Sequence, residues 1–371
     1  MRNIYHLLSD VSSYNTERFN PICREEYNYI STENMLENKN GVAFNLYYPV
    51  LGSVRSFIKN DILISNIRPY FKKIWFADRV GGCSDDILVI RAKNIYPKFL
   101  YYVLCDNNFF NYSTVTAKGT KMPRGSKDAI MKYLVPNVPI HIQEKIADIL
   151  STYDDLIENN NRRIEILEQM AQEIYKEWFV RFRFPGHEKV KFINGLPEGW
   201  EVKKIKDIVD RKPFGTLYKE SQVKEYGKVI VIDQSKKDYI GFHNNEPSHN
   251  ADIEKPMILF GDHSCKYKIM IKPFSLAENV IPFISNDENL LTTYYLFYSI
   301  NGIVQTTEYK RHWTDLTNKK IIISNINLQT KFEEKIKEFL LEIEQLSIIN
   351  RNLIKQRDLL LPRLMSGKLE V

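Results

Sequence analysis

The sequence predicts an α+β protein built from two copies of one unit, each a mixed strand-and-helix globular segment followed by a long helix. Three observations predict it. Long amphipathic stretches occupy about Ile142–Phe179 and Leu328–Leu364, each after a globular segment of similar size. The stretches open alike, Ile142-Gln143-Glu144-Lys145-Ile146 against Leu328-Gln329-Thr330-Lys331-Phe332, and Leu8-Ser9-Asp10-Val11 near the start is echoed by Ile205-Lys206-Asp207-Ile208. A repeat period of nearly half the chain means that whatever the unit does is done at two places. The chain therefore divides into globular residues 1–141, helix 142–180, globular residues 181–327 and helix 328–371.

In the first globular segment, short apolar runs at Ile62-Leu63-Ile64 and Ile87-Leu88-Val89-Ile90 read as strands, and Asn60-Asp61 and Gly81-Gly82 read as turns between them. A helix is expected near Pro97–Asn108.

The helix that follows carries Ile146, Leu150, Tyr153, Ile157, Asn160, Ile164, Leu167, Ala171, Ile174 and Trp178 in alternating steps of four and three. Such spacing sustained over several heptads defines a seam that seeks a partner helix. A buried Asn160 would weaken that seam while fixing its register.

The second globular segment follows a stop at Pro185-Gly186 and a turn-rich linker, Gly195-Leu196-Pro197-Glu198-Gly199-Trp200. Its expected strands are Val229-Ile230-Val231-Ile232, Ile258-Leu259-Phe260 and Ile321-Ile322-Ile323, with a turn at Gly261-Asp262 and a helix near Leu290–Asn301. The closing helix has its own seam, Phe332, Ile336, Phe339, Ile343, Leu346, Asn350, Leu353, Arg357, Leu360 and Leu364, again with one central Asn.

The nearest partner for either helix is the other one. An antiparallel coiled coil would carry the globular segments at opposite ends of a rod of roughly 50 Å, on the order of 10–15 base pairs of B-DNA. Two amphipathic helices packed into one core are the plainer alternative.

At 371 residues, with 43% hydrophobic side chains, 20 Phe and 22 Tyr, the chain suits two well-filled cores. Cys23, Cys83, Cys105 and Cys265 lie far apart, which fits reduced thiols better than a disulfide framework or a zinc site. No run approaches a membrane span, and Met1-Arg2-Asn3-Ile4 begins no signal peptide, so a cytoplasmic location is expected.

The net charge of +6 is unevenly spread. Residues 1–141 carry 18 basic and 12 acidic side chains, and residues 181–327 carry 22 and 18. The helix at 142–180 carries 4 and 9, and residues 328–371 carry 8 and 7. Positive globular segments, with helices that together are net −4, suit a polyanion held by the former and kept off the latter.

Catalytic signatures are missing. The sequence contains no GxxxxGK[ST] loop, no Asn- or Asp-Pro-Pro-aromatic motif with a glycine-rich cofactor loop, no HExxH and no GxSxG. His263 and Cys265 are two ligands at most, too few for zinc. Glu333-Glu334-Lys335 has the E-x-K spacing of some nuclease sites but lies on a heptad helix, as a solvated face. No metal and no cofactor in this chain is the expectation, and binding becomes the default function.

The candidate contacts to nucleic acid form two sets. In the first segment, Asn66 and Arg68 flank Ile67, and strand alternation would put them on one face. Asn and Arg are shaped for bidentate bonds to adenine and guanine edges. Lys72 and Lys73 follow, and the loop Lys118-Gly119-Thr120-Lys121-Met122-Pro123-Arg124-Gly125-Ser126-Lys127 joins glycine flexibility to Lys118, Lys121, Arg124 and Lys127, as phosphate contacts require. In the second, Lys310, Arg311, His312 and Trp313 hold the same place before the helix, and His263, Lys266 and Lys268 form another patch.

Taken together, these residues resemble the specificity subunit of type I restriction-modification systems along the whole chain. The resemblance is sharpest in three stretches: Ile142–Phe179 (Glu168-Gln169-Met170-Ala171 and Trp178-Phe179 within it), Leu196-Pro197-Glu198-Gly199-Trp200, and Arg357-Asp358-Leu359-Leu360-Leu361-Pro362-Arg363-Leu364-Met365-Ser366-Gly367. Within the globular segments, Asn60–Pro69 and Leu259-Phe260-Gly261-Asp262-His263 look like phrases from that family's target-recognition domains.

The resemblance implies two target-recognition domains with twisted sheets, each reading half of a split double-stranded DNA site. An antiparallel coiled coil would set the unread gap and carry two modification subunits. Those partners would hold S-adenosylmethionine and methylate adenine; a restriction subunit would add ATP, Mg and cleavage. The first segment departs from the pattern, beginning near Ile4 without a Leu-Pro-Glu-Gly-Trp lead-in. A coiled-coil scaffold that joins proteins without reading DNA, and a self-contained nuclease, are the competing readings.

Overall fold

The computed structural model describes residues 4–20, 28–44, 52–235, 239–306, 308 and 310–365. Cys23, Met1-Arg2-Asn3 and the terminal Ser366-Gly367 lie outside them. Two compact units emerge: residues 1–159 with 350–371, and residues 160–349.

In the first unit, strands Ser12–Tyr14, Ile87–Ala92, Ile62–Ser65 and Ile74–Phe76 form an antiparallel sheet in that order. Ile62, Ile64, Leu88 and Ile90 enter one core with Phe99, Leu100, Phe109 and Phe110. Leu63, Ile87 and Val89 enter another on the opposite face with Ile30 and Phe57. Burial on both faces is why these strands read as unbroken apolar runs and not as alternation. The second sheet orders Arg18–Phe19, Val54–Phe57, Gly81–Cys83 and Asn28–Ile30, its last pair parallel.

Gly81-Gly82, expected as a turn, opens the strand Gly81–Cys83. A Cβ on Gly81 would stand 2.3 Å from the Asn28 carbonyl oxygen, and one on Gly82 2.6 Å from Val54 Cγ2. Close approach of neighbouring strands, not chain reversal, requires these glycines.

The second unit repeats the plan. Strands Val209–Arg211, Val280–Ser285, Met257–Gly261 and Tyr267–Met270 form the antiparallel sheet, in the same order by chain position. Gly241–His243, Val229–Ile232 and Phe274–Leu276 form the second sheet, again with one parallel pair. Each unit also pairs an early strand with the strand before a long helix: Tyr5–Leu7 with Leu134–Pro136, and Glu201–Lys204 with Lys320–Ile323.

The central helix runs Ile140–Tyr175 and continues as a π-turn through Val180; the terminal helix runs Ile326–Met365. All ten expected seam positions of each are buried or half-buried, while Ile149, Leu156, Ile166 and Met170, off the seam, are exposed. Asn160 and Asn350 are 8% and 7% exposed.

Within the second unit the helices run antiparallel. Arg163 pairs with Glu342 at 2.6 Å, and Trp178 and Phe179 pack on Phe332 with ring centroids 6.3 and 5.3 Å apart. Within the first, Asp154 pairs with Arg357 at 2.5 Å, and Ile146 and Leu150 share a core with Leu361 and Leu364.

The shared helix opening has a structural cause. Gln143 and Gln329 are both buried. Gln143 accepts from the Tyr96 amide at 2.8 Å, just ahead of helix Pro97–Cys105, and donates to the Val138 carbonyl at 2.8 Å. Gln329 accepts from the Thr292 amide at 2.9 Å, just ahead of helix Thr293–Ile300, and donates to the Leu290 and Ser324 carbonyls. One side chain per unit satisfies a helix-start amide that would otherwise be orphaned and bolts the long helix to its globular domain.

Candidate nucleic-acid interface

The first unit gathers its candidates at one place, the far end of strand Ile62–Ser65. That strand stops at Ser65, so the expected alternation does not carry Asn66 and Arg68 onto a common strand face. Asn66 is 7% exposed, its amide donating to the Asp86 carbonyl at 2.8 Å and its carbonyl accepting from Gly125 at 3.0 Å. It is a buried hinge of the site and not an exposed base reader. Arg68 turns into the left-handed region at φ 49°, with its amide bonded to the Pro123 carbonyl at 2.8 Å.

The loop Lys118–Lys127 thus lies on this turn. Lys118 and Arg124 exchange backbone bonds of 2.8 and 2.9 Å that close it. Gly125 seats the loop closely, since a Cβ there would stand 3.0 Å from Asn66 Oδ1 and 3.1 Å from Ser113 Oγ and would press on both side chains. Lys118, Lys121 and Lys127 are exposed. Arg124 is engaged by Asp86 at 3.0 Å. Lys72 donates to Asn107 and Lys73 to the Thr32 carbonyl, each at 2.9 Å, which braces both against the domain.

The second unit builds the same junction from other residues. Asp262 follows strand Met257–Gly261 as Asn66 follows Ile62–Ser65. Its amide donates to the Asn279 carbonyl at 2.9 Å, and its carbonyl accepts from His312 at 2.8 Å. Its carboxylate also accepts from the amides of His312 and Trp313, at 3.0 and 2.9 Å, at the start of helix Trp313–Thr317.

His263 bonds the Lys310 carbonyl through Nδ1 at 3.0 Å, so the two expected patches meet. Lys266 ends the turn that opens strand Tyr267–Met270, and Lys268 lies within that strand.

Two candidates turn toward the interior. His312 is 1% exposed, held by Asp315 at 3.1 Å and the Glu308 carbonyl at 3.2 Å. Trp313 packs on Phe283 and Phe260, with centroids 5.1 and 6.1 Å apart. Lys310 and Arg311 remain exposed, Arg311 within 3.8 Å of Asp262. Beside them a groove of about 660 Å³ is lined by Gln305, Lys310, Asp315, Asn318 and Lys319 among others.

Asp262, Gln143 and Gln329 organise the site and its supports, yet sequence reasoning missed them. The matching Gln at the second place of both helix openings is the signal that points to the last two.

Other chemistry is quiet. Burial pushes the thiols of Cys83 and Cys105 up to about 12, so they stay protonated. No cluster of three or more metal-ligating side chains occurs among the described residues. Glu333 is tied to Lys337 at 2.9 Å, and Lys337 also to Glu254 at 2.7 Å, rather than simply solvated. No helix among the described residues is long and apolar enough to cross a membrane.

Comparison with known proteins accords with the duplicated plan. The family model described as "Type I restriction modification DNA specificity domain" matches residues 13–169 and again 197–355. The chain is 28% identical over 350 residues to the type I restriction enzyme MjaIX specificity subunit of Methanocaldococcus jannaschii, covering 86% of this chain and 80% of that protein. It is 30% identical over 185 residues to the HindI specificity subunit of Haemophilus influenzae, covering 47% and 40%. The crystal structure of a type I restriction-modification S subunit from M. genitalium superposes with a TM-score of 0.57 at 17% identity, covering 98% of this chain and 97% of that one, which establishes a common fold. With its domain matched twice over most of its length, the chain belongs to the type I restriction modification DNA specificity family.

Proposed function

We propose that this chain is the non-catalytic DNA-recognition subunit of a type I restriction-modification complex. Residues 1–141 and 181–327 act as target-recognition domains, each reading one half of a bipartite double-stranded site, and the helices 142–180 and 328–371 act as the spacer that sets the unread gap. Two modification subunits supply S-adenosylmethionine chemistry on adenine, and a restriction subunit supplies ATP-driven, Mg-dependent cleavage; the assembly works in the cytoplasm.

One observation carries this reading. The same junction of strand end and pre-helix loop recurs in both units, through Asn66 and Gly125 in one and Asp262 and His312 in the other. Both loops bear exposed cations. Contacts of such cations to phosphates position a protein on the duplex, while side chains at the strand end are free to differ and so to specify bases. A pure scaffold has no use for two such basic junctions.

The test is selection from randomised duplex DNA by the chain assembled with its modification subunits, at fixed ionic strength. Two short preferred blocks separated by unread positions are expected. A complex that binds every duplex alike would return the helices to the role of a protein scaffold.

A further inference from the structure

We propose that Arg68 is the base-reading residue of the first unit, and that the half-site this unit recognises contains a G·C pair whose guanine edge takes the Arg68 guanidinium. The inference rests on the DNA-recognition reading above and narrows it to one side chain and one base.

Four features meet at Arg68, while its cationic neighbours share them singly: Lys72 has the left-handed backbone, and Lys73 lies 5.7 Å from the centre of the Phe71 ring. The Arg68 backbone is locked in an uncommon state: φ is 49°, and Lys72, at φ 52°, turns the chain the same way at the other end of the short turn Pro69–Phe71. Non-glycine residues adopt this region at a cost that the surroundings must override. Here they do so through the Pro123 carbonyl on the Arg68 amide and the Gly125 amide on Asn66.

Its side chain is half-buried and its Nε is buried without a hydrogen-bond partner among the described residues. The guanidinium carbon stands 5.9 Å from the centre of the Phe71 ring, a cation–π placement that holds the group in position. Finally, no carboxylate engages it among the described residues, whereas the half-buried Arg55, Arg91 and Arg357 are each paired with Asp85, Asp61 or Asp154.

A half-buried guanidinium that is positioned but uncompensated is set to receive an acceptor from outside. Its planar fork matches the O6 and N7 of guanine in the major groove, while the flexible ammonium of a lysine does not. The surrounding cations have a different role, since Lys118, Lys121 and Lys127 are exposed on the loop and fit phosphates. Asn66, buried beneath the turn, positions Arg68 and makes no base contact. At the matching place of the second unit, two residues past Asp262, the chain carries Ser264, so the other half-site is read by different chemistry.

The experiment compares wild type with Arg68→Ala and Arg68→Lys in the complex with modification subunits, measuring binding preference at every base pair of the selected site and its salt dependence. We expect Arg68→Ala to lose about 10- to 100-fold discrimination at one G·C pair of one block. The other block should stay unchanged, and Arg68→Lys should not restore the preference.

Uniform weakening over all sequences, with a salt slope lower by about 1 and rescue by lysine, would make Arg68 a phosphate contact and overturn the assignment. Unaltered preferences would overturn it too. If Arg68→Ala fails to fold, the lysine variant decides alone: full retention of discrimination refutes the proposal, and its loss with non-specific affinity kept supports it. A wild-type complex with no preference at all would overturn both this assignment and the recognition reading beneath it.

Discussion

Asn66 in the first unit and Asp262 in the second directly follow the matching strand of the repeated sheet, and each offers its carbonyl to the loop before the long helix. There the likeness stops. Asp262 spends its carboxylate on the amides of His312 and Trp313, while Asn66 leaves Oδ1 buried without a hydrogen-bond partner among the described residues.

A second pair of matching places diverges as far. Where the long helices meet the first globular domain, Arg357 bonds Asp154 and Asp358, the Tyr102 hydroxyl donates to Asp154 at 2.6 Å, and Lys39 approaches Asp358 at 3.9 Å. In the second unit the places that match Asp154 and Arg357 in the two helices are Leu340 and Ala171, which lie in an apolar core with the rings of Tyr175, Phe179, Tyr298 and Phe332. The duplicated backbone bonds fix the scaffold, and the side chains that fill it have parted. A two-part recognition protein needs both: one geometry for presenting, two chemistries for reading.

The largest expected effect breaks the ionic junction. Asp154→Ala leaves the Arg357 guanidinium, 18% exposed, without its nearest partner, and should cost about 2–3 kcal/mol, below the ceiling for a fully buried pair. Denaturant unfolding should show Asp154→Ala with Arg357→Leu recovering most of that loss, since an apolar pair would imitate the second unit. A double variant no more stable than the single one would contradict the electrostatic account of this junction.

Smaller effects sharpen the strand-end comparison. Asp262→Ala removes a charged cap from two amides and should cost about 2 kcal/mol. Asn66→Ala, whose Oδ1 holds no bond, should cost under about 1 kcal/mol. Equal losses in parallel unfolding curves would show that the two junctions bear equal weight and that their divergence is cosmetic.

Much of the architecture is legible in the residues alone. The 4-3 spacing finds the seam because helical periodicity is local, and the buried Asn160 and Asn350 sit where it puts them. Runs such as Val229-Ile230-Val231-Ile232 are strands because both faces of their sheets are covered. What escapes such reading is set by distant contacts. Gly81-Gly82 reads as a turn until Phe57 and Asn28 press on it. His312 and Trp313 read as a basic-aromatic patch until Asp262, some fifty residues earlier, draws them inward. The end of the strand at Ser65, which separates Asn66 from Arg68 in role, depends on a loop from residues 118–125 that no alternation pattern contains.

At the centre of the proposed function, the paired helices fix the distance between two readers. Adding one heptad beside Asn160 and another beside Asn350 keeps both seams in phase while lengthening each helix by about 10 Å, close to three base pairs at about 3.4 Å each. Sites selected by the assembled complex should keep both blocks and gain about three unread positions. Blocks retained at the original spacing would contradict the claim.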